Sequence, residues 1–138
     1  MSAIRGFGIT TDNQLRELAR DMGFSLNYVG FAENIPKHLP IGFNIINLGD
    51  NKIGGTHWTL WYVDPLLKFS VYFDSYGGPP EDPILQKSPY PIIVNGKQVQ
   101  KYNEDYCGIW ALTCASFINR AKDKKIALND FVDRYKSV

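Results

Sequence analysis

The chain has 138 residues, of which 44% are hydrophobic and 14% aromatic, and its formal net charge is +1. This length suits one domain, which we expect to span residues 1–138. The near balance of 15 basic and 14 acidic residues argues against a protein whose main role is to coat nucleic acid. The two cysteines cannot build a disulfide framework, and spacings typical of zinc ligands are absent. No apolar run reaches the ~18 residues of a membrane helix and the N-terminus lacks a signal-peptide core, so we expect an intracellular protein, neither secreted nor membrane-bound.

The first predicted element is a helix over residues 11–22, where apolar residues recur at helical spacing. Thr11 or Asp12 can cap its N-terminus, and Gly23 suits the position just after its C-terminus. The sequence therefore predicts one amphipathic helix ahead of the strands.

Four strands are predicted in the middle of the chain, over residues 26–31, 41–48, 57–63 and 68–73. The last two are the strongest signals because they are rich in aromatic and β-branched residues. Asp64-Pro65 between them indicates a turn, so these two strands are expected to pair antiparallel.

A hairpin is predicted next, because Asn95-Gly96 separates apolar residues 92–94 from residues 97–100. Five of the eight prolines lie in the preceding stretch 76–91, which is predicted to be an ordered loop.

The last third of the chain is predicted to be helical. Residues 107–121 are apolar almost all round, as in a buried central helix, and residues 128–135 continue as a second, amphipathic helix. Strands in the middle with helices at both ends indicate an α+β domain rather than alternating βαβ units.

Cys107 is the first candidate for chemistry, because the sequence changes there from polar to the pattern of a buried helix. A helix N-terminus presents N–H groups and positive potential that stabilise a thiolate and can hold an oxyanion. Gly108 lets substrate approach the backbone closely. The alternative is that Cys107 is a small buried hydrophobe, as many free cysteines are.

His57 is the candidate general base, because it opens the most aromatic predicted strand directly after two glycines and a threonine. A thiol nucleophile needs such a group to accept its proton and later to protonate the leaving amine. A solvent-facing or structurally satisfied histidine is the alternative. His38, the second histidine, lies in a proline-flanked loop and is predicted to be at the surface.

Asp74 closes an apolar run just before a glycine turn. The antiparallel pairing expected around Asp64-Pro65 would bring it beside the start of the His57 strand, where its carboxylate could accept the imidazole N–H. The alternative is that Asp74 only caps the turn at residues 75–78.

Gln100 is the fourth candidate, at the end of the predicted hairpin and seven residues before Cys107. Its amide N–H could complete an oxyanion hole with the Cys107 backbone N–H. Without further context it could equally be a polar residue at a strand end.

Together these segments resemble a known family. Residues 54–58, 72–77 and 105–110, with Gln100 between the last two, resemble the adenovirus-type maturation proteases (adenains). Adenains belong to the cysteine-protease clan that also contains the SUMO-specific proteases. The order His, acid, Gln, Cys is that of the clan, and the intervals of 17 residues from His57 to Asp74 and seven from Gln100 to Cys107 are similar to the viral branch.

The resemblance implies an adenain-like fold, in which a central mixed β-sheet packs against a buried helix with the nucleophile at its N-terminus. It implies that Cys107 is the nucleophile, His57 the general base and acid, and Asp74 the residue that orients His57. Gln100 and the Cys107 backbone N–H would form the oxyanion hole. Trp58 would wall the narrow channel to Cys107, with core packing as its alternative role.

The chain also departs from the adenovirus pattern. Asp74 stands where the adenovirus enzymes have glutamate, as in the SUMO-protease branch. The stretch 75–99 contains no cysteine, so activation by a disulfide-linked viral peptide is excluded, although an activating peptide or DNA could act without one. DNA is weakly supported, because one basic cluster at a helix end more simply complements the helix dipole. That cluster comprises Arg120, Lys122, Lys124 and Lys125. Cys114, two helical turns after Cys107, is predicted to be core.

By resemblance, the protein would be a viral cysteine endopeptidase from an adenovirus relative, a virophage or a related small DNA virus. Its partners would be capsid or core precursor proteins, cleaved after small residues such as glycine during virion maturation, in the virion or the host-cell interior. No metal and no cofactor are required by the sequence. The alternatives are a deconjugase of ubiquitin-like proteins and a catalytically silent binding module of the same fold. Acetyl transfer is a weaker one, because no acyl-CoA motif is present.

Overall fold

A computed structural model describes residues 11–48, 57–101 and 106–136 of the chain. Two predicted features, the glycines and threonine at positions 54–56 and Asp105 before the nucleophile, lie outside the described residues.

Helix α1 spans Asp12–Asp21 and confirms the first predicted helix. Thr11 forms a reciprocal cap with Gln14: its hydroxyl accepts the Gln14 N–H at 3.2 Å, and the Gln14 side chain accepts the Thr11 N–H at 2.9 Å. Gly23 follows the helix with a φ of +93°, a conformation that glycine adopts without strain.

Five strands form one mixed sheet in the order β1-β2-β3-β4-β5. Strands β1 and β2 pair parallel, as do β4 and β5, whereas β3 pairs antiparallel with both of its neighbours. The strands are β1 Leu26–Phe31, β2 Gly42–Asn47, β3 Trp58–Asp64, β4 Phe69–Phe73 and β5 Ile92–Val94. A short 3₁₀ turn, Ala32–Asn34, follows β1.

Three more helices pack on this sheet: α2 at Asp82–Lys87, α3 at Cys107–Arg120 and α4 at Lys124–Tyr135. Helices α1, α3 and α4 bury their apolar residues against one face of the sheet. The 3₁₀ turn and α2 cover part of the other face. The α+β architecture, with a mixed sheet against a buried helix that begins at Cys107, confirms the predicted fold class.

Strands β3 and β4 are buried on both faces because successive side chains of a strand point in opposite directions. Leu60 and Phe73 face the layer that contains α3, whereas Trp61 and Tyr72 face the layer that contains α2. This double burial explains why both strands are nearly continuous apolar runs in the sequence.

The predicted hairpin at Asn95-Gly96 is wrong. Strand β5 pairs parallel with β4, and residues 97–100 form no strand. The chain makes no hairpin at this point, because the Asn95 side chain binds the backbone of Asp74. The chain then runs along the loop after β4. There the N–H groups of Val99 and Gln100 both donate to the Ser75 carbonyl, at 2.9 and 3.0 Å.

The proline-rich stretch is also more regular than predicted, because α2 forms within it. Pro83 occupies the first turn of α2, where its missing N–H would have had no partner in the helix. Among the described helices, none combines the length and apolarity needed to cross a membrane.

Candidate active site

The antiparallel pairing of β3 with β4 brings His57 and Asp74 together, as the sequence predicts. Leu60 pairs with Phe73, so the start of β3 lies beside the end of β4. The distance from His57 Nε2 to Asp74 Oδ1 is 2.6 Å, at the short end for a hydrogen bond between an imidazole and a carboxylate. The His57 side chain is 22% exposed and that of Asp74 only 7%. The pair is therefore shielded from most water and still accessible from one side.

Cys107 is the first residue of α3 and is 4% exposed. Its Sγ accepts the backbone N–H of Trp58 at 3.3 Å, so β3 and α3 meet at the sulfur. Its side chain also forms a hydrogen bond with His57. Because Nε2 of His57 is bonded to Asp74, Nδ1 is the ring nitrogen left for the thiol. The first turn of α3 contains no acidic residue, so nothing within the helix offsets its positive end beside Cys107.

The electrostatic environment favours the charged form of His57. Burial by itself would lower the pKa of the imidazole, but hydrogen bonds with Asp74 and Cys107, and the charges of both, raise it to about 9. An imidazolium at neutral pH is what a thiolate–imidazolium pair requires.

Asp74 contacts His57 and caps the turn as well, and its role in orienting His57 for catalysis stays a prediction. The backbone N–H of Tyr76 donates to the same Oδ1 atom at 2.8 Å, and the N–H of Gly77 donates to the Asp74 carbonyl at 2.8 Å. Gly77 has a φ of +82°, which allows the turn to close. The turn thereby fixes the carboxylate in the orientation in which it accepts from His57.

Asn95 holds Asp74 from the other side. Its Oδ1 accepts the Asp74 N–H at 3.2 Å, and its Nδ2 donates to the carbonyls of Asp74 at 2.7 Å and Lys97 at 2.8 Å. A Cβ added at Gly78 would lie 2.7 Å from Asp74 Oδ2, so a larger residue there would force the carboxylate to shift. These contacts leave Asp74 little room to move.

Gln100 is fully buried, in a loop rather than at a strand end. The Ser75 hydroxyl donates to its Oε1 at 2.7 Å, and its Nε2 donates to the Tyr76 hydroxyl at 3.3 Å. The Tyr76 ring stacks on His57 with 4.7 Å between centroids and an interplanar angle of 18°. Tyr76 thus links Gln100 to His57, and the oxyanion role of Gln100 stays a prediction.

Trp58 is 6% exposed and belongs to the main core. This burial supports the core-packing alternative for its side chain, and the channel wall stays a prediction. Its backbone has a role that the sequence did not indicate, because the N–H binds Cys107 Sγ.

Three residues near the site were missed by sequence reasoning: Ser75, Tyr76 and Asn95. Ser75 and Tyr76 directly follow Asp74, and their position in the turn was the available signal. For Asn95 the sequence predicts a different role, because Asn-Gly strongly favours a hairpin turn.

Two side chains with site chemistry lie away from the cluster, as predicted. Cys114 is free and fully buried, and burial raises the pKa of its thiol. His38 is exposed. Within residues 11–48, 57–101 and 106–136, no group of three or more His, Cys, Asp or Glu side chains could hold a metal ion.

The basic cluster includes a helix cap. The ammonium of Lys124 donates to the carbonyls of Ile118, Asn119 and Ala121 at 2.9, 3.1 and 3.4 Å, at the C-terminal end of α3. This confirms that charge there complements the helix dipole.

Among the solved structures that are similar to this chain is a SUMO protease, Ulp1, with its catalytic cysteine oxidised to a sulfinic acid. The TM-score is 0.43 and the sequence identity is 21%; the match covers 67% of this chain and 48% of the other. The chain thus spans about half the length of that protein. No protein-family model matches the chain, and no curated protein matches its sequence. Likeness at this level identifies neither an activity nor a substrate.

Proposed function

We propose that the protein is a cysteine peptidase that hydrolyses peptide bonds through a covalent acyl-enzyme. The observation that carries this proposal is the convergence of three side chains. Cys107 at the N-terminus of α3 is hydrogen-bonded to His57, and His57 is 2.6 Å from Asp74. A nucleophile, a base and an orienting acid in contact are the minimum set for nucleophilic acyl transfer.

In the first half of the reaction, the Cys107 thiolate attacks the carbonyl carbon of the scissile bond. The C–S bond forms as the carbonyl electron pair moves to oxygen, which gives a tetrahedral oxyanion. The oxyanion collapses, the C–N bond breaks, and the His57 imidazolium donates its proton to the departing amine. Asp74 keeps the imidazole oriented and stabilises its positive charge.

In the second half, neutral His57 accepts a proton from water as the water oxygen attacks the thioester. The C–O bond forms, the C–S bond breaks, and the Cys107 thiolate and the His57 imidazolium are restored. The net reaction consumes one peptide bond and one water and releases a carboxylic acid and an amine.

The oxyanion would be held by the Cys107 backbone N–H and the Gln100 amide. The positive end of α3 and the buried, immobilised position of Gln100 support this assignment. The pairing of Trp58 N–H with Cys107 Sγ supports a thiolate, because it stabilises charge on the sulfur.

The substrates would be capsid or core precursor polypeptides of a virus related to adenoviruses, cleaved after small residues such as glycine. The resemblance of the segments around His57, Asp74 and Cys107 to the adenains supports this narrower proposal. Cleavage would take place in the virion or the host-cell interior. The proposed chemistry uses only groups of this chain and water, so a peptide or DNA activator would change the rate without taking part in the reaction.

The test is hydrolysis of a blocked peptide ending in Gly-Gly and coupled through an amide to aminomethylcoumarin. We expect the wild-type protein to release the fluorophore and Cys107→Ala to lose on the order of 10³-fold or more of the rate. Cys114→Ala is the matched control, because it removes the other thiol from the fully buried core and should stay active.

Hydrolysis that survives Cys107→Ala would contradict the proposal. If the proposal holds, digestion of a virion precursor and of a ubiquitin-like fusion by the same protein separates the viral endopeptidase from the deconjugase.

A further inference from the structure

Tyr76 contacts three of the four side chains predicted for the triad and the oxyanion hole. Its ring stacks on His57 at 4.7 Å, its hydroxyl accepts from Gln100 Nε2 at 3.3 Å, and its backbone N–H donates to Asp74 Oδ1 at 2.8 Å. Neither the predicted triad nor the predicted oxyanion hole includes it.

We propose that Tyr76 is a positioning residue that couples the general base to the oxyanion amide, through its ring on His57 and its hydroxyl on Gln100. This role rests on the proposed function and deepens it. It would make the orientation of the base and that of the oxyanion donor depend on one side chain.

The Tyr76 ring restricts the directions in which the His57 imidazole nitrogens can point. Proton transfer requires His57 to point one nitrogen at Asp74 and the other at Cys107 at the same time. An interplanar angle of 18° means that the tyrosine ring lies almost flat on the imidazole. Rotation of the imidazole about its Cβ–Cγ bond would drive its edge into that ring, so stacking restricts the imidazole to the productive plane. It also covers one face of the base from water.

The Tyr76 hydroxyl fixes the orientation of the plane of the Gln100 amide. The amide carbonyl is held by the Ser75 hydroxyl at 2.7 Å, and its nitrogen is held by the Tyr76 hydroxyl. An amide nitrogen carries two N–H groups in one plane, so fixing one of them and the carbonyl fixes the direction of the second. Oxyanion donors are effective when they are oriented before the charge develops, because no reorganisation is then needed.

Tyr76→Phe and Tyr76→Leu separate the two functions. The phenylalanine keeps the ring and removes the hydroxyl, so we expect kcat on the Gly-Gly aminomethylcoumarin amide to fall about tenfold, below the 10²–10³ typical of losing an oxyanion donor. Alkylation of Cys107 by iodoacetamide forms no oxyanion, so its rate and pH profile should stay as in the wild type. The leucine removes the flat ring and should slow alkylation as well.

A double-mutant cycle with Gln100→Ala tests the coupling directly. If the hydroxyl acts through the amide, Tyr76→Phe should have almost no further effect on kcat in the Gln100→Ala background. Tyr28→Phe is the matched control, since it removes a tyrosine hydroxyl that donates to the Phe31 carbonyl at 2.7 Å, at the far edge of the sheet.

The outcomes distinguish this role from the proposed function. If the wild type is active and Tyr76→Phe has the same kcat, the role of Tyr76 is overturned while the proposed function stands. The same conclusion follows if Tyr76→Phe still lowers kcat tenfold in the Gln100→Ala background. A Tyr76→Phe variant that loses alkylation as much as hydrolysis also overturns the role of Tyr76, because the effect is then general disorder. A wild type that hydrolyses no faster than Cys107→Ala overturns the proposed function itself.

Discussion

The Oδ1 atom of Asp74 accepts two hydrogen bonds, one from His57 and one from the Tyr76 backbone. A carboxylate that is fixed by backbone donors can hold a histidine in one orientation without the entropy loss of ordering a mobile acid. The side chain of aspartate, shorter than that of glutamate, is long enough here because the antiparallel pairing of β4 with β3 brings the Asp74 backbone beside the start of β3.

Asp74→Asn should shift the high-pH limit of activity downwards. Burial lowers the pKa of His57, but its hydrogen bonds to Asp74 and Cys107 outweigh burial and raise the pKa to about 9. Removing the Asp74 charge should therefore lower the pKa of His57. Protonation of the leaving amine needs the imidazolium, which exists below this pKa. We therefore expect wild-type kcat to fall as pH rises through about 9, and the variant to lose activity at lower pH and to be slower throughout.

The same shift predicts how stability depends on pH. The folded-state pKa of His57 lies above the unfolded value of 6.5, so the stabilisation is complete below pH 6.5 and is lost as pH rises through about 9. Thermal melts of the wild type, Asp74→Asn and the exposed-site control Asp133→Asn between pH 6.5 and about 9 test whether stability falls as pH rises. A wild type whose pH dependence equals that of Asp74→Asn would contradict it.

At the scale of elements, local signals in the sequence were reliable where one short-range pattern dominated. The capping pair of Thr11 and Gln14 fixes the start of α1, and the aromatic runs of β3 and β4 fix the pair of strands that brings His57 and Asp74 together. The predicted contact between His57 and Asp74 follows from that pairing alone.

The elements that sequence reasoning missed depend on long-range contacts. Asn95 is 21 residues from Asp74, and its bonds to the Asp74 backbone outweigh the local preference of Asn-Gly for a hairpin. Helix α2 contributes the fully buried Ile84 to the apolar layer that contains Trp61 and Tyr72, so tertiary packing stabilises a helix that six residues would not form alone. A short stretch of sequence does not include both partners of these contacts, so local patterns cannot predict them.

Asn95→Ala should loosen the loop that holds Asp74. The substitution leaves the buried N–H and carbonyl of Asp74 without this partner, and such a loss typically destabilises a protein by about 1–3 kcal/mol. We expect a lower urea midpoint together with slower hydrolysis. Asn119→Ala, at an exposed position near the end of α3, is the control and should change neither. Wild-type activity in Asn95→Ala would show that Asp74 does not need this support.

At the scale of the whole molecule, the stability of the site depends on the apolar core between the sheet and helices α1, α3 and α4. Phe131 of α4 is fully buried and packs against the rings of Phe73, Trp110, Phe117 and Tyr135, with centroid distances of 4.9–6.2 Å. Phe73 immediately precedes Asp74, so this aromatic cluster connects the C-terminal helix to the strand that ends at the acid.

Phe131→Ala should therefore destabilise the entire fold, by about 3–5 kcal/mol, because the cavity forms at the centre of the aromatic cluster. Denaturant unfolding measures the change, and hydrolysis per folded molecule should stay close to the wild type. Leu66→Ala is the matched control: Leu66 is 92% exposed, so its truncation should change stability by less than about 0.5 kcal/mol. A similar loss for both variants would argue against a single cooperative core.

The turn between β3 and β4 has a practical consequence. It joins β3 to β4 at the end of the sheet away from His57 and Asp74, and the length of β3 separates it from these two residues by roughly 20 Å. Asp64 closes it locally by accepting the N–H groups of Leu66 and Leu67, whose side chains are 92% and 55% exposed. A fluorophore, an affinity tag or an inserted sensor peptide could be grafted at Leu66–Leu67, where the protein could be labelled or immobilised with the region around His57 and Asp74 left open.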